Sequence, residues 1–204
     1  METVSTIVVE AHKAQYDLKL DLETAFHTFN LIMSISKVFN KEALAYYKTV
    51  RASDTRFKEA QKIAMAEIKK SVDVSDIIPS SSFTAKCNQL KDSDLDIYIY
   101  YKKMPDLSGL KQFGYTSKPS PNPAYLIYSK SINSIDIEIK IRNYAEGSLT
   151  RKLHHFLDKK LTTSERVAIT YIKFNLVENK EAYKAFKYLV YNYCLYKMGE
   201  KKLF

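Results

Sequence analysis

Apolar side chains recur at helical spacing twice before residue 72. Leu22, Ala25, Phe26, Phe29, Ile32 and Met33 share one face of a helix-forming stretch within residues 22–50. Phe57, Ala60, Ile63, Ala64 and Ile68 make the stripe of a following helix, which Ser53 or Asp54 can cap. The period then shortens to two. VSDII at 74–78 reads as a first strand, SDLDIYIY at 93–100 opens a second, and INSIDIEIKI at 132–141 alternates isoleucine with Asp136, Glu138 and Lys140. That alternation marks a strand with one polar face. Helical spacing returns in RVAITYIKFNL at 166–176 and EAYKAFKYLVYNYCLY at 181–196. Between the second and third strands, residues 103–124 carry Pro105, Pro119, Pro121 and Pro123 and read as one long loop. The opening segment through Leu20 has mixed periodicity, compatible with a strand, an arm or a short helix.

These elements predict an α/β (α+β) protein whose mixed, mainly antiparallel sheet is flanked by helices and followed by a compact helical carboxy-terminal region. The expected division is a helical amino-terminal extension at 1–72, a sheet-bearing core at 73–145 and a helical region at 146–204. With 204 residues, 46% of them hydrophobic and 13% aromatic, the chain has ample material for a packed core.

Asp94 and Asp96 stand one residue apart on the second strand and so point to the same face. Such a pair can hold a divalent metal. Mg²⁺ prefers oxygen ligands in near-octahedral geometry and takes only one or two carboxylates, leaving positions for substrate phosphates and water. Two metals roughly 3.5–4 Å apart need a third carboxylate, and Asp136 and Glu138 supply candidates on one face of the later strand. The gap of about 40 residues after Asp96 gives the chain room to return beside the first acidic strand.

The serine turn at 80–82, the Asp-x-Asp of SDLDI about a dozen residues later and the strand acid beyond it resemble the nucleotidyltransferase superfamily of the DNA polymerase β type. The segment after the third acid is most similar to non-template poly(A) polymerases and terminal uridylyltransferases. It comprises Arg142-Asn143, Gly147-Ser148-Leu149 opening a helix, Lys173 on the next helix and Tyr183 on the one after. The resemblance spans roughly residues 73–197. It departs from the family in the absence of a Gly before the serines, where backbone amides must approach a triphosphate. Asp136 has the family's residue type, Glu138 sits better in its register, and the helical second domain is short.

The resemblance implies a poly(A)-polymerase-like enzyme that moves a nucleotide from an NTP, ATP favoured, to the 3′-OH of RNA without a template, using two Mg²⁺ or Mn²⁺ ions. Asp94 and Asp96 would bind both ions, and Asp136 or Glu138 would help hold the one that activates the attacking hydroxyl. Ser81 and Ser82 would cradle the β and γ phosphates, Lys173 would neutralise the triphosphate, Tyr183 would stack on the base, and Asn143 and Ser148 would meet the ribose. Each residue also has an ordinary reading: a solvated strand face for Asp136 or Glu138, a snorkelling Lys173, a packed Tyr183, a turn at Asn143 and a helix cap at Ser148. Three other readings share these motifs: a nucleotidyltransferase acting on a small-molecule or protein acceptor, a template-directed polymerase of the same superfamily, and a catalytically degenerate RNA-binding or partner subunit.

The net charge of +9 is concentrated late in the chain, with 14 Lys and Arg against 6 Asp and Glu from Ile139 to Phe204. This suits a phosphate-seeking surface. Tyrosines interleave with lysines in YKAFKYLVYNYCLYKMGEKK, a pattern that can hold single strands. Tyr188, Tyr191 and Leu195 at helical spacing are nonetheless expected mostly in the core. The amino-terminal helices are candidates for a homodimer or partner-subunit contact. Cys87 and Cys194 form no metal or redox spacing, and His154 and His155, adjacent on a helix, point in different directions. No stretch approaches the roughly 20 apolar residues that span a bilayer, and METVSTIVVE lacks a basic leader region. A soluble, intracellular protein, cytoplasmic and without a membrane partner, is therefore expected.

Overall fold

The computed structural model describes residues 22–36, 40–74, 76–80, 82–90, 94–120 and 122–201; the opening segment through Leu20 lies outside them. Among the described residues the order is α1 (Leu22–Ser36), α2 (Asn40–Ala52), α3 (Thr55–Ser71), β1 (Asp76–Pro79), β2 (Asp94–Tyr101), α4 (Ser108–Gln112), β3 (Thr116–Lys118), β4 (Leu126–Ile132), β5 (Ile135–Asn143), α5 (Ser148–Lys159), α6 (Thr163–Leu176) and α7 (Lys180–Lys197). They form two compact units: residues 50–158, which carry the sheet, and a helical unit that joins the described residues up to 49 with those from 159 onward.

The five strands lie in the order β1-β2-β5-β4-β3. β2 and β5 are parallel, and the other three neighbouring pairs are antiparallel. The sheet is thus mixed and mainly antiparallel. Leu95, Ile97 and Ile99 of β2 and Ile135, Ile137, Ile139 and Ile141 of β5 fall on one face by strict alternation. They are buried with Phe57, Ala60, Ala64 and Ile68, the stripe of α3.

The strand expected over 132–141 is two elements. Asn133 (φ 52°) and Ser134 (φ 63°) both take left-handed backbone, as a two-residue hairpin turn requires, so Ile132 ends β4 opposite Ile135 of β5. The long loop expected at 103–124 is also corrected, because it holds α4 and β3. Leu110 and Tyr115 are buried in the sheet core and give this segment its own anchor. Pro105 precedes α4 and Pro119 follows β3, so these prolines bound the elements. Asp54 stands at the start of α3 but makes no side-chain cap. Its carboxylate pairs instead with Arg51 at 3.0 Å and accepts a hydrogen bond from Asn88 at 3.1 Å.

In the helical unit α1 packs on α6 and α7. Phe29 is fully buried, with its ring centroid 6.3 Å from that of Phe186 and 4.1 Å from that of Tyr193. Thr162 and Glu165 form a capping box at the start of α6. The other oxygen of Glu165 accepts from Tyr193 and, at 2.9 Å, from Lys197, which ties α6 to α7. Tyr193 and Leu195 are core residues, whereas Tyr188 and Tyr191 are only half-buried. Among the described residues no helix is long and apolar enough to cross a membrane.

Candidate active site

Parallel pairing of β2 with β5 sets Asp94 opposite Asp136, Asp96 opposite Glu138 and Tyr98 opposite Lys140. Partners in register share a face, as do residues two apart on a strand. The isoleucines take the core face, so all four acids and Lys140 project from the other. α5 covers the carboxy-terminal half of that polar face. His154 packs on Tyr98 at 4.3 Å, Thr150 accepts from Arg142 at 3.3 Å, and Arg151 pairs with Asp76 at 2.6 Å. The acids lie at the amino-terminal ends of the two strands, where Asp94 and Asp136 are exposed and Asp96 and Glu138 are half-buried.

Lys140 stands in the middle of this group. Its ammonium is 2.7 Å from Oδ1 of Asp96 and 3.5 Å from Oε2 of Glu138, and Lys118 on β3 lies 3.7 Å from Oε1 of Glu138. Burial pushes the Asp96 carboxyl above its ordinary pKa; Lys140 opposes this, while repulsion from Asp94 and Glu138 adds to it. Burial works against the charge on Lys140, but Asp96 and Glu138 outweigh it and hold the ammonium above its usual pKa. Lys140 was not among the candidate site residues, although its position two residues after Glu138 already put it on the acid face.

An all-carboxylate donor set suits a hard divalent cation, and the mutual repulsion at Asp96 calls for positive charge. As they stand, the oxygens are gathered around the lysine. Among the described residues no three His, Cys, Asp or Glu side chains are drawn together as a metal-ion set.

The serine turn is joined to the same strand. The Ser80 N–H donates to the Asp96 carbonyl at 2.8 Å as the chain leaves β1. The turn closes with the Cys87 N–H on the Ser82 carbonyl at 2.7 Å and the Lys86 N–H on the Phe83 carbonyl at 2.8 Å. Lys86, at φ 57°, takes the left-handed position that a glycine would fill without strain. Phe83 stacks on Phe57 at 5.2 Å, and the Asn88–Asp54 hydrogen bond holds the segment after the turn against the start of α3. Ser81 lies outside the described residues.

Asn143 shapes the entry to α5, its Oδ1 accepting from the Ala145 N–H at 2.9 Å and its carbonyl from the Gly147 N–H at 3.0 Å. Ser148 is the exposed first residue of α5. Lys173 and Tyr183 belong to the helical unit, where the Lys173 ammonium lies 5.6 Å from the Tyr183 ring centroid. Cys87 and Cys194 are buried thiols, and His155 is exposed while His154 is buried. Compared with known proteins, the chain matches no family model and no curated sequence.

Proposed function

We propose that the protein is a template-independent RNA nucleotidyltransferase that transfers a nucleotide, AMP favoured, from an NTP to an RNA 3′-OH, with the sheet unit as a nucleotidyltransferase fold of the polymerase β type. The reading is carried by one observation. Asp94 and Asp96 of β2 stand beside Asp136 and Glu138 of β5 on one face of two parallel strands, with Ser80 at the start of the serine turn donating its backbone N–H to the main-chain carbonyl of Asp96.

Asp94 and Asp96 would hold two divalent cations, with Glu138 as the third carboxylate. Glu138 is favoured over Asp136 because it lies opposite Asp96 and shares Lys140 with it. The cations would supply charge to the phosphates and acidity to the attacking hydroxyl. The chain's own part is positioning. The paired strands fix the carboxylates, and Ser82, in a turn held through Phe83 and Asn88, would meet the β and γ phosphates. The 3′-hydroxyl would give its proton to water, its oxygen would bond to the α-phosphorus, and the bond from that phosphorus to the bridging oxygen would break to release pyrophosphate.

The test is incubation with an unstructured oligoribonucleotide, Mg²⁺ or Mn²⁺ and each labelled NTP separately, resolved on a sequencing gel beside an Asp94→Ala/Asp96→Ala variant. A ladder that grows with one NTP and disappears in the variant is expected. No ladder with any NTP, from folded protein, would contradict RNA tailing and move the assignment to a small-molecule or protein acceptor or to a non-catalytic RNA-binding subunit.

A further inference from the structure

The acid face carries a cation of its own. Lys140 reaches Asp96 and Glu138 together, its side chain is 21% exposed, and its ammonium lies 5.7 Å from the Tyr98 ring centroid. A lysine at a strand surface ordinarily extends into water; this one is laid across the strand onto carboxylates of both β2 and β5. An oxygen 2.7 Å from an ammonium is already the partner of a positive charge. A divalent ion taking that oxygen at about 2.0–2.1 Å would meet the ammonium at close range.

On this geometry we propose that Lys140 is a competitor built into the carboxylate site: it occupies the Asp96 and Glu138 oxygens that a divalent cation would take, so the cation loads only by displacing it. The inference rests on the nucleotidyl-transfer reading. The charges allow the exchange. Asp94, Asp96, Asp136 and Glu138 are four carboxylates on one face, and the ion pairs there bring two ammonium groups to them, those of Lys140 and Lys118, so the pairs leave negative charge that draws a divalent ion even with the lysine in place. The four-carbon stem of Lys140 lets the ammonium swing away without moving the strand. Lys118 is half exposed and reaches Glu138 alone of the four acids, so it competes less. Lys140 thereby sets the divalent concentration at which the site fills.

The experiment is a titration of the full chain with Mn²⁺ alone, following the free-ion paramagnetic resonance signal. K140M and K140Q should bind Mn²⁺ about tenfold more tightly than the wild type, or better, because a close like charge is removed. K140R should stay near the wild type, K118M should change the affinity less than K140M, and D96N should lose the site. Two neutral replacements are used so that a variant shown by circular dichroism to be unfolded does not decide the matter. Wild-type binding that needs Asp96 but is unchanged or weakened in K140M and K140Q would overturn the inference and leave the metal-site reading standing. No Asp96-dependent binding in any variant would overturn both.

Discussion

A methyl group at position 147 has nowhere to go. A Cβ there would overlap the Tyr100 ring, 2.8 Å from Cδ1, and press on Cδ of Arg142 at 3.3 Å. Tyr100 is buried, and Arg142 is held by Tyr125 at 2.9 Å and Thr150 at 3.3 Å, so neither can give way cheaply. Gly147 is thus a close-approach glycine that lets the chain enter α5 against the end of β2. Gly147→Ala should cost about 1–3 kcal/mol, the usual range for overpacking, read as a lower urea midpoint. An unchanged midpoint would mean that α5 shifts freely. The acids were legible at this scale because alternation alone puts Asp94 with Asp96 and Asp136 with Glu138. The Lys140–Asp96 contact was not, since it depends on which strands pair, and no local pattern encodes a partner on another strand.

Glu165 shows what an element's end can contribute. Burial would raise its pKa, but hydrogen bonds from Tyr193, Lys197 and the Thr162 backbone and side chain outweigh that and bring it from an ordinary 4.5 down to about 2. The folded value lies below the unfolded one, so the stabilisation is present above pH 4.5 and is lost as pH falls toward 2. Its size at neutral pH is about 3 kcal/mol. Thermal melts should therefore show the wild type losing stability across that window, whereas Glu165→Gln starts lower and changes less. Parallel curves would contradict the assignment.

Elements with strong periodicity were the legible ones: the α3 stripe from Phe57 to Ile68 and the isoleucine alternation of β5 appear where the sequence places them. The boundaries that were missed depend on backbone conformation. Asn133 and Ser134 read as strand until their left-handed turn is known, and α4 is too short to show a period against the prolines around it.

At the scale of the molecule, helices far apart in the sequence share one core. Phe29 of α1 packs with Phe186 and Tyr193 of α7, so α7 depends on residues near the start of the chain. A chain lacking residues 1–49 should lose hydrogen-exchange protection across α7 (Lys180–Lys197), and retained native protection there would contradict this grouping. The sheet unit carries the proposed chemistry, nucleotidyl transfer at the paired acids of β2 and β5. The most direct measurement is pyrophosphate release from each NTP, with and without an oligoribonucleotide, in the wild type and Asp96→Asn. Nucleotidyl transfer there predicts release that depends on RNA and a divalent cation and falls by about a hundred- to a thousandfold in Asp96→Asn, as expected from the loss of one central electrostatic group. Undiminished release in Asp96→Asn, or none from the folded wild type with any NTP, would contradict it.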